Sequence, residues 1–512
     1  MRITRTRSSE GLSKQWDVVV IGSGMGGLSA ASLLSTDGKK VLVLEAGLHP
    51  GGCSSSYTRK GYVFESGATT LIGFDDGQPM KFLEDHTGMC IPRIELNPSM
   101  SVWLENQKPI IRMKEKRDWV DHCMNHFGQD KAQQRFWDKA MYVADRVWNI
   151  SLKNTFFPPS KPLDLLRLVT SNSLKDLVIL PYMNRSVSQV AESCGISNDQ
   201  FFRFLDEQLI ITAQAGASQT PFIFGAPAIC YPNSSNFYVP GGLIEMVFTC
   251  LNHLESYNGQ WLNKQKVVQV DQVKEGYRIA TDKGLEVQAP VVISNIPLWN
   301  MPDVTTGVMQ DYFNKESAKY TDAWGAFTIG IVLSDTLDDE LSLHHQFHLP
   351  ARHPLSEWIA QSFFVSISMR GDTQRASKGH RVLNISTHCL PERWLALDQD
   401  SHDKKKVEVQ QYLVEQLQKR LPGANIAEYL HLDAATPRTW EKWVYRKKGR
   451  VGGIPQSMRR AVWDWTPPVT PFKGMYLVGD TTYPGQGIPG VTLSGINAVS
   501  YTHLRAHETH ND

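Results

Sequence analysis

A chain of 512 residues, 41% hydrophobic and 21% charged with a formal net charge of +1, is too long for one hydrophobic core and too apolar for wholesale disorder, so at least two packed units are expected. The near-zero charge argues against nucleic acid as a partner, since bulk phosphate neutralisation leaves a basic excess. No apolar run of about eighteen residues offers a membrane-spanning helix, and seven scattered cysteines without CxxC spacing read as reduced intracellular thiols, neither a disulfide framework nor a zinc site.

The opening MRITRTRSSEGLSK is basic and polar with no apolar centre, so it is no secretory signal. It reads as a leader on a cytoplasmic chain, with an organelle-targeting remnant (and a stromal location) as the alternative. The run Trp16 to Ile21 is apolar throughout, as a central parallel strand is when both faces are covered. A glycine turn follows, then a helix from Met25 with Gly38 as its stop, then the strand KVLVLE ending at Glu45. Strand, turn, helix and strand make a βαβ unit.

Gly22, Gly24 and Gly27 form GxGxxG in that turn, with Ser23, Met25 and Gly26 between them. The first glycine allows the tight turn, the second lets a pyrophosphate approach the backbone, and the third permits close helix packing. Amides at the helix N-terminus then face the phosphate. Glu45, followed by Ala46, is placed to accept hydrogen bonds from ribose hydroxyls, and a carboxylate there disfavours a 2′-phosphate. This motif alone does not choose between FAD and NAD. Downstream, Gly51, Gly52, Cys53 and Gly67 suit a cofactor extended along the backbone, the alternative being two surface turns.

The stretch from Phe156 to Val190 carries apolar segments punctuated by Lys161, Arg167 and Lys175. It reads either as a helix pair in a core or as a monotopic contact with one membrane leaflet. From Asn236, the strand FYV leads through Pro240, Gly241 and Gly242 into a helix. KVVQV, YRIAT and LEVQ then form a meander returning into VVISNIP. His344, His345 and His348 lack a companion ligand and read as loop or core histidines, with no metal site expected. TWEKWVYRKKGR, which ends at Arg450, is expected as a solvated loop or as a grip on headgroups or phosphate. The last group is GMYLVGD, a Gly/Pro-rich loop of Gly487, Ile488, Pro489 and Gly490, and a helix from Val491. The tail after Ser500 is polar and histidine-rich, expected as an extension without a role.

The fold class expected is α/β. Residues 14–75, 236–300 and 470–503 form a discontinuous Rossmann-like FAD-binding domain, residues 76–235 and 301–469 an α+β substrate domain with a mixed sheet, and 504–512 stay unassigned. Gly479 and Asp480 end a strand where a carboxylate can meet a ribityl chain, and the helix N-terminus beyond them favours an anionic reduced flavin. An NAD enzyme has no need of such a segment, so FAD is favoured.

VVVIGSGMGGLSAASLL, VLVLEAG, the PGG at Pro240 to Gly242, the segment Thr436 to Gln456 and YLVGDTTYPGQGIPGV together resemble the carotenoid desaturase, carotenoid isomerase and retinol saturase family of amine-oxidase-like flavoproteins. The resemblance spans nearly the whole chain. It implies FAD lined by Gly22 to Gly27, Glu45, Gly51 to Cys53 and Gly67, with Val267 meeting the adenine through its backbone and Gly479, Asp480 and Ile488 to Val491 near the ribityl chain and ring. It implies an apolar polyene substrate that is desaturated or isomerised cis–trans, with the flavin ring carrying the chemistry and no catalytic side chain assigned. Retinol-saturase-like reduction and amine oxidation on the same fold are the alternatives. Many amine oxidases carry Arg where Cys53 stands and Glu where Asp480 stands, and both departures weaken the amine oxidase reading. A non-catalytic FAD-binding protein is the remaining alternative.

Overall fold

A computed structural model describes residues 12–508 apart from 106, 156, 160–163, 165, 167–169, 173–175, 177, 425–428, 462 and 463. Its first layer is a five-stranded parallel sheet in the order β19 (Met475–Leu477), β13 (Val291–Ser294), β1 (Val18–Ile21), β2 (Val41–Leu44), β9 (Gln260–Leu262). The unbroken apolar run of β1 has a direct cause. Val18 and Val20 enter the core formed with helices, while Val19 and Ile21 enter a second core on the opposite face. Both faces are covered, as in a βαβ sheet.

On the first face, α1 (Met25–Thr36) lies between the helices Ile244–Ser256 and Ile488–Glu508. On the second lies the antiparallel meander β10 (Val267–Val273), β11 (Gly276–Thr281) and β12 (Glu286–Ala289). The strands and helices expected for this half are thus present, with β9 added. Its QWL is too short and mixed to announce itself beside the meander.

The second sheet has seven strands in the order β18 (His431–Ala435), β14 (Gly325–Ser334), β17 (His380–Cys389), β16 (Ser362–Ile367), β15 (His344–His348), β6 (Met100–Trp103), β7 (Ile110–Arg112). β15 and β6 pair in parallel and every other neighbour is antiparallel, so the sheet is mixed as expected. Alternation sets its two faces. Phe327, Ile329, Phe363, Val365, Leu383 and Ile385 pack with Leu413 and Leu417 of the helix Gln399–Arg420. Ala326, Thr328, Ser362, Phe364, Ser386 and His388, one residue out of phase, line a cavity on the other side.

That cavity is roofed by helices whose core gathers Trp119, Phe136, Trp137, Phe201 and Phe204. Arg112, fully buried there, lies 4.1 Å from the Trp119 ring centre and donates to Gln208 Oε1 at 2.7 Å and the Ile229 carbonyl at 2.6 Å. Burial pushes its guanidinium down to about 10.

Two small pairings tie the layers together: the hairpin β3 (Ser56–Arg59) with β4 (Tyr62–Glu65), and β5 (Ile94–Leu96) with β8 (Asn236–Tyr238). The domain limits need correction. Met80, Leu83, Met89 and Ile91 belong to the helix-side core of the parallel sheet, and Met301, Val304, Met309 and Phe313 to its meander-side core. Boundaries at 75/76 and 300/301 therefore cut through packed units. The C-terminal helix runs on to Glu508, so its backbone does not end at Ser500, where the sequence turns polar. None of the described helices is long and apolar enough to cross a membrane.

Candidate functional site

A cavity of about 620 Å³ begins at the glycine turn and runs between the two sheets. Every cofactor-contact residue expected from the sequence lines it except Gly27. Gly27 has the packing role assigned to a third glycine: a Cβ there would stand 2.6 Å from the Gly22 carbonyl oxygen. Gly22, with φ +92°, makes the tight turn. The N-terminus of α1 has no side-chain cap from its own N-cap residue, Gly24. The Gly27 amide is met instead by Asn295 Oδ1 at 3.0 Å, while Met25 and Gly26 lie at the cavity wall. An uncapped helix start bared by glycines is a seat for a diphosphate. This cradle fits a dinucleotide.

The carboxylate of Glu45 accepts from the Ser23 amide and hydroxyl through one oxygen and from the Gly47 amide, at 2.7 Å, through the other. It faces the cavity with lone pairs left for a ribose. Ala46 lies beside it. Across from them Val267 opens β10, where the register with β11 shifts between Val267 and Gln269. This irregularity frees backbone from the ladder at the point where an adenine contact was expected. Gly51 has φ +109°, and its amide donates to the Ser23 hydroxyl at 3.0 Å. The side chain missing from Gly67 is replaced by the Trp440 ring, 2.8 Å from where a Cβ would be.

The N- and C-terminal signatures interlock. A Cβ on Gly26 would stand 2.8 Å from the Gly479 nitrogen, and one on Gly495 would stand 2.6 Å from the Gly26 carbonyl oxygen. The Gly479 amide donates to Ser494 Oγ at 2.8 Å. Ile488, Pro489 and Gly490 are not a loop, because the helix starts at Ile488. Proline is well suited to a first helical turn, where its missing N–H has no partner to lose.

The segment Thr436 to Arg450 departs most from expectation. Pro437–Val444 is helical, and Trp440, Arg446 and Arg450 are buried, so it is not a solvated loop. Arg446 donates from Nη2 to Asp480 Oδ2 at 2.7 Å and from Nε to the Arg450 carbonyl at 2.5 Å, and it also hydrogen-bonds the Cys53 thiol. Burial is the largest influence on the Arg446 pKa and works to lower it, but the Asp480 carboxylate and the Cys53 thiol together outweigh it and the net shift is upward. Burial pushes the Cys53 thiol up despite Arg446. Gly452 and Gly453, in left-handed conformations at φ +71° and +76°, follow at once, Gly453 pressed on the Asp480 backbone. Asn295, Arg446 and Gly453 were missed in the sequence. The only signal available was a Gly-Gly pair after a basic run.

Beyond the glycines the wall is uncharged and largely apolar, with Val147, Trp148, Ile211, Phe224, Ala228 and Phe364 interleaved with Thr212, Thr328, Ser362 and Ser386. The charged residues of the lining, Glu45, Lys266, Asp303, Arg446 and Asp480, belong to the glycine-rich end. At the sheet end the titratable group is His388, which burial pushes down to about 4, so the ring is neutral at pH 7. The expected histidines sit on β15 as core residues, with His344 stacked on Phe364 at 5.6 Å. Among the described residues no group of His, Cys, Asp and Glu could hold a metal ion.

Comparison with known proteins agrees with this geometry. The family model for the NAD(P)-binding Rossmann-like domain matches residues 20–86, and that for flavin containing amine oxidoreductase matches residues 238–501. The prolycopene isomerase, chloroplastic, of Daucus carota is 27% identical over 502 residues, covering 95% of this chain and 80% of that protein. The human all-trans-retinol 13,14-reductase is 25% identical over 305 residues, 57% of this chain and 49% of its own length. Among solved structures, putrescine oxidase bound to putrescine superposes with a TM-score of 0.61 over 96% of this chain and 99% of its own. Its 14% identity speaks for the fold alone.

Proposed function

The chain belongs to the flavin containing amine oxidoreductase family and is an FAD-dependent oxidoreductase, and on that premise we propose that it acts on a long apolar polyene of the carotenoid type, by desaturation or cis–trans isomerisation. The observation that carries the reading is the two-part cavity, with the charged lining residues among those described at the cofactor end and an uncharged, largely apolar wall beyond it. Bound FAD supplies hydride or electron exchange. The protein holds the dinucleotide at Gly22 to Gly26, Glu45 and the Gly479 to Val491 segment, excludes water with the Phe224 and Phe364 wall, and orients a chain-like substrate between the sheet and its helical roof. The likeness to a prolycopene isomerase over most of both chains supports the same reading. Reduction of a retinol-like polyene is the second reading, supported by the retinol reductase likeness.

The experiment is purification, a flavin spectrum, and chromatography of products from phytoene, lycopene isomers, retinol and small amines. Bound FAD and conversion of a polyene are expected. Turnover of amines with every polyene untouched would overturn the substrate proposal.

We propose further that the region around Leu166, Val178 and Leu180 meets one membrane leaflet. These side chains are 59%, 54% and 50% exposed, and nearby Met183 packs on Phe224, Trp465 and Tyr483 by the cavity wall. Lys161, Arg167 and Lys175 lie outside the described residues. Cosedimentation with liposomes is expected, and its absence would remove the membrane contact while leaving the enzyme proposal standing.

A further inference from the structure

The glycine-rich end of the cavity must accept a diphosphate carrying two negative charges, yet it already presents three carboxylates, Glu45, Asp303 and Asp480. Among the described residues two cations line the cavity, Lys266 and Arg446. Lys266 is exposed, precedes Val267 and lies 5.5 Å from the Tyr445 ring centre, at the nucleoside end. Arg446 is buried at 8% exposure, bonded to Asp480 on one side and Cys53 on the other. Cys53 follows Gly52, whose missing side chain would sit 3.6 Å from the Gly24 Cα of the first glycine turn. The guanidinium therefore bridges the ground between the uncapped start of α1 and the start of the C-terminal flavin segment. A guanidinium has five donors, and its protein acceptors are the Asp480 carboxylate, the Arg450 carbonyl and the Cys53 thiol.

Resting on the FAD reading, we propose that Arg446 is the cationic contact for the diphosphate of the bound dinucleotide, delivered to the glycine turn from the Thr436 to Arg450 segment. A planar fork serves this role because it can hold a carboxylate and a phosphate oxygen at once. The rigid setting follows from its neighbours. Gly453 presses on the Asp480 backbone, and a side chain at Gly449 would collide with Pro437. The loop carrying Arg446 is thus held against the C-terminal segment before any ligand arrives.

The test is FAD affinity of the full chain, by titrating FAD into flavin-stripped protein. Arg446→Met is expected to raise the dissociation constant about ten- to a hundredfold, the range for a charge-assisted hydrogen bond. The reduction potential of the FAD that still binds should stay at the wild-type value, because the contact is to the diphosphate and not to the ring. Two double variants separate this role from neutralisation of Asp480. Arg446→Met with Cys53→Arg, which brings a guanidinium to the same ground, should recover most of the lost affinity. Arg446→Met with Asp480→Asn should not.

Wild-type affinity in Arg446→Met, or its full return in the Asp480→Asn double variant, would overturn the proposal. Should Arg446→Met not fold, Arg446→Lys takes its place, with a loss of about three- to tenfold expected and unchanged affinity counting against it. A wild-type protein that binds no FAD at all would instead sink the cofactor assignment on which the proposal rests.

Discussion

At Gly26 an added carbon would stand 2.8 Å from a backbone nitrogen of Gly479, so nothing larger than hydrogen fits. At Phe364, across the same cavity, a bulky side chain fills space between a sheet and its helical roof. The first region is limited by backbone meeting backbone, and tolerates one residue type. The second is limited by volume and polarity, and many combinations would satisfy it. Cofactor ends of such enzymes therefore write themselves in glycine, while substrate ends are written in shape.

Gly27→Ala tests the first half most severely. Its Cβ would lie 2.6 Å from the Gly22 carbonyl oxygen and 3.0 Å from both Asn295 and Val20, so α1 must leave the sheet. A loss of at least about 3 kcal/mol and of FAD retention is expected. A melting curve and flavin content equal to wild type would break the contrast. Phe201→Ala is the counterpart in the helical roof, where Phe201 packs 5.0 Å from Phe127 and 5.6 Å from Phe136 between ring centres. About 3 to 5 kcal/mol should be lost from that unit, with FAD affinity unchanged. Loss of FAD would show that the halves are not separable.

What was legible in the sequence follows the same division. The glycine turn, Glu45 and the Gly479 to Val491 segment were readable because each residue type there answers a backbone constraint at fixed spacing. Arg446 was not, because its burial comes from a neighbouring glycine pair and from Asp480 far along the chain, while Lys442, Lys447 and Lys448 around it suggest solvent. A mixed sheet in the substrate half was readable, and Gly325–Ser334, Ser362–Ile367 and His380–Cys389 are three of its strands. That their alternate residues line a cavity was not, since Thr328, Ser362 and Ser386 look like an ordinary outward face. The start of the last helix was placed at Val491 because Pro489 was read as loop, although a first turn accommodates it.

Glu207 sharpens the comparison on the polar side. It is buried at 6% exposure, hydrogen-bonded to Ser362 of the cavity wall, and raised to about 7, chiefly by burial. In the folded protein it keeps a proton that the unfolded chain releases near the ordinary carboxylate range. Stability is therefore full below about 4.5 and is lost as pH rises to about 7, by about 3 kcal/mol in all. Glu207→Gln should remove that loss, which urea titrations at pH 5 and pH 8 would show. An unchanged difference between the two pH values would place the carboxyl in a wetter setting than the packing indicates.

His344 gives the opposite sign and, read at pH 5, the smallest effect. Both its ring nitrogens are buried without a partner, and burial, followed by His345 and Arg375, pushes its pKa down to about 3. The folded protein holds it neutral where the unfolded chain binds a proton, so its contribution is full above about 6.5 and is lost as pH falls toward 3. At pH 5 the loss is about 2 kcal/mol. His344→Phe keeps a ring against Phe364 and removes the proton site. The slope of stability with pH between 6 and 4 should then fall by about 1.4 kcal/mol per pH unit, one proton's worth. His345 and His348, also pushed down by burial, to about 4 and about 3, keep the rest of that slope. An unchanged slope would mean that water or another group reaches His344 in solution. The substrate half would then be more open behind Phe364 than its volume-filling construction implies, and its difference from the glycine-bound half would narrow.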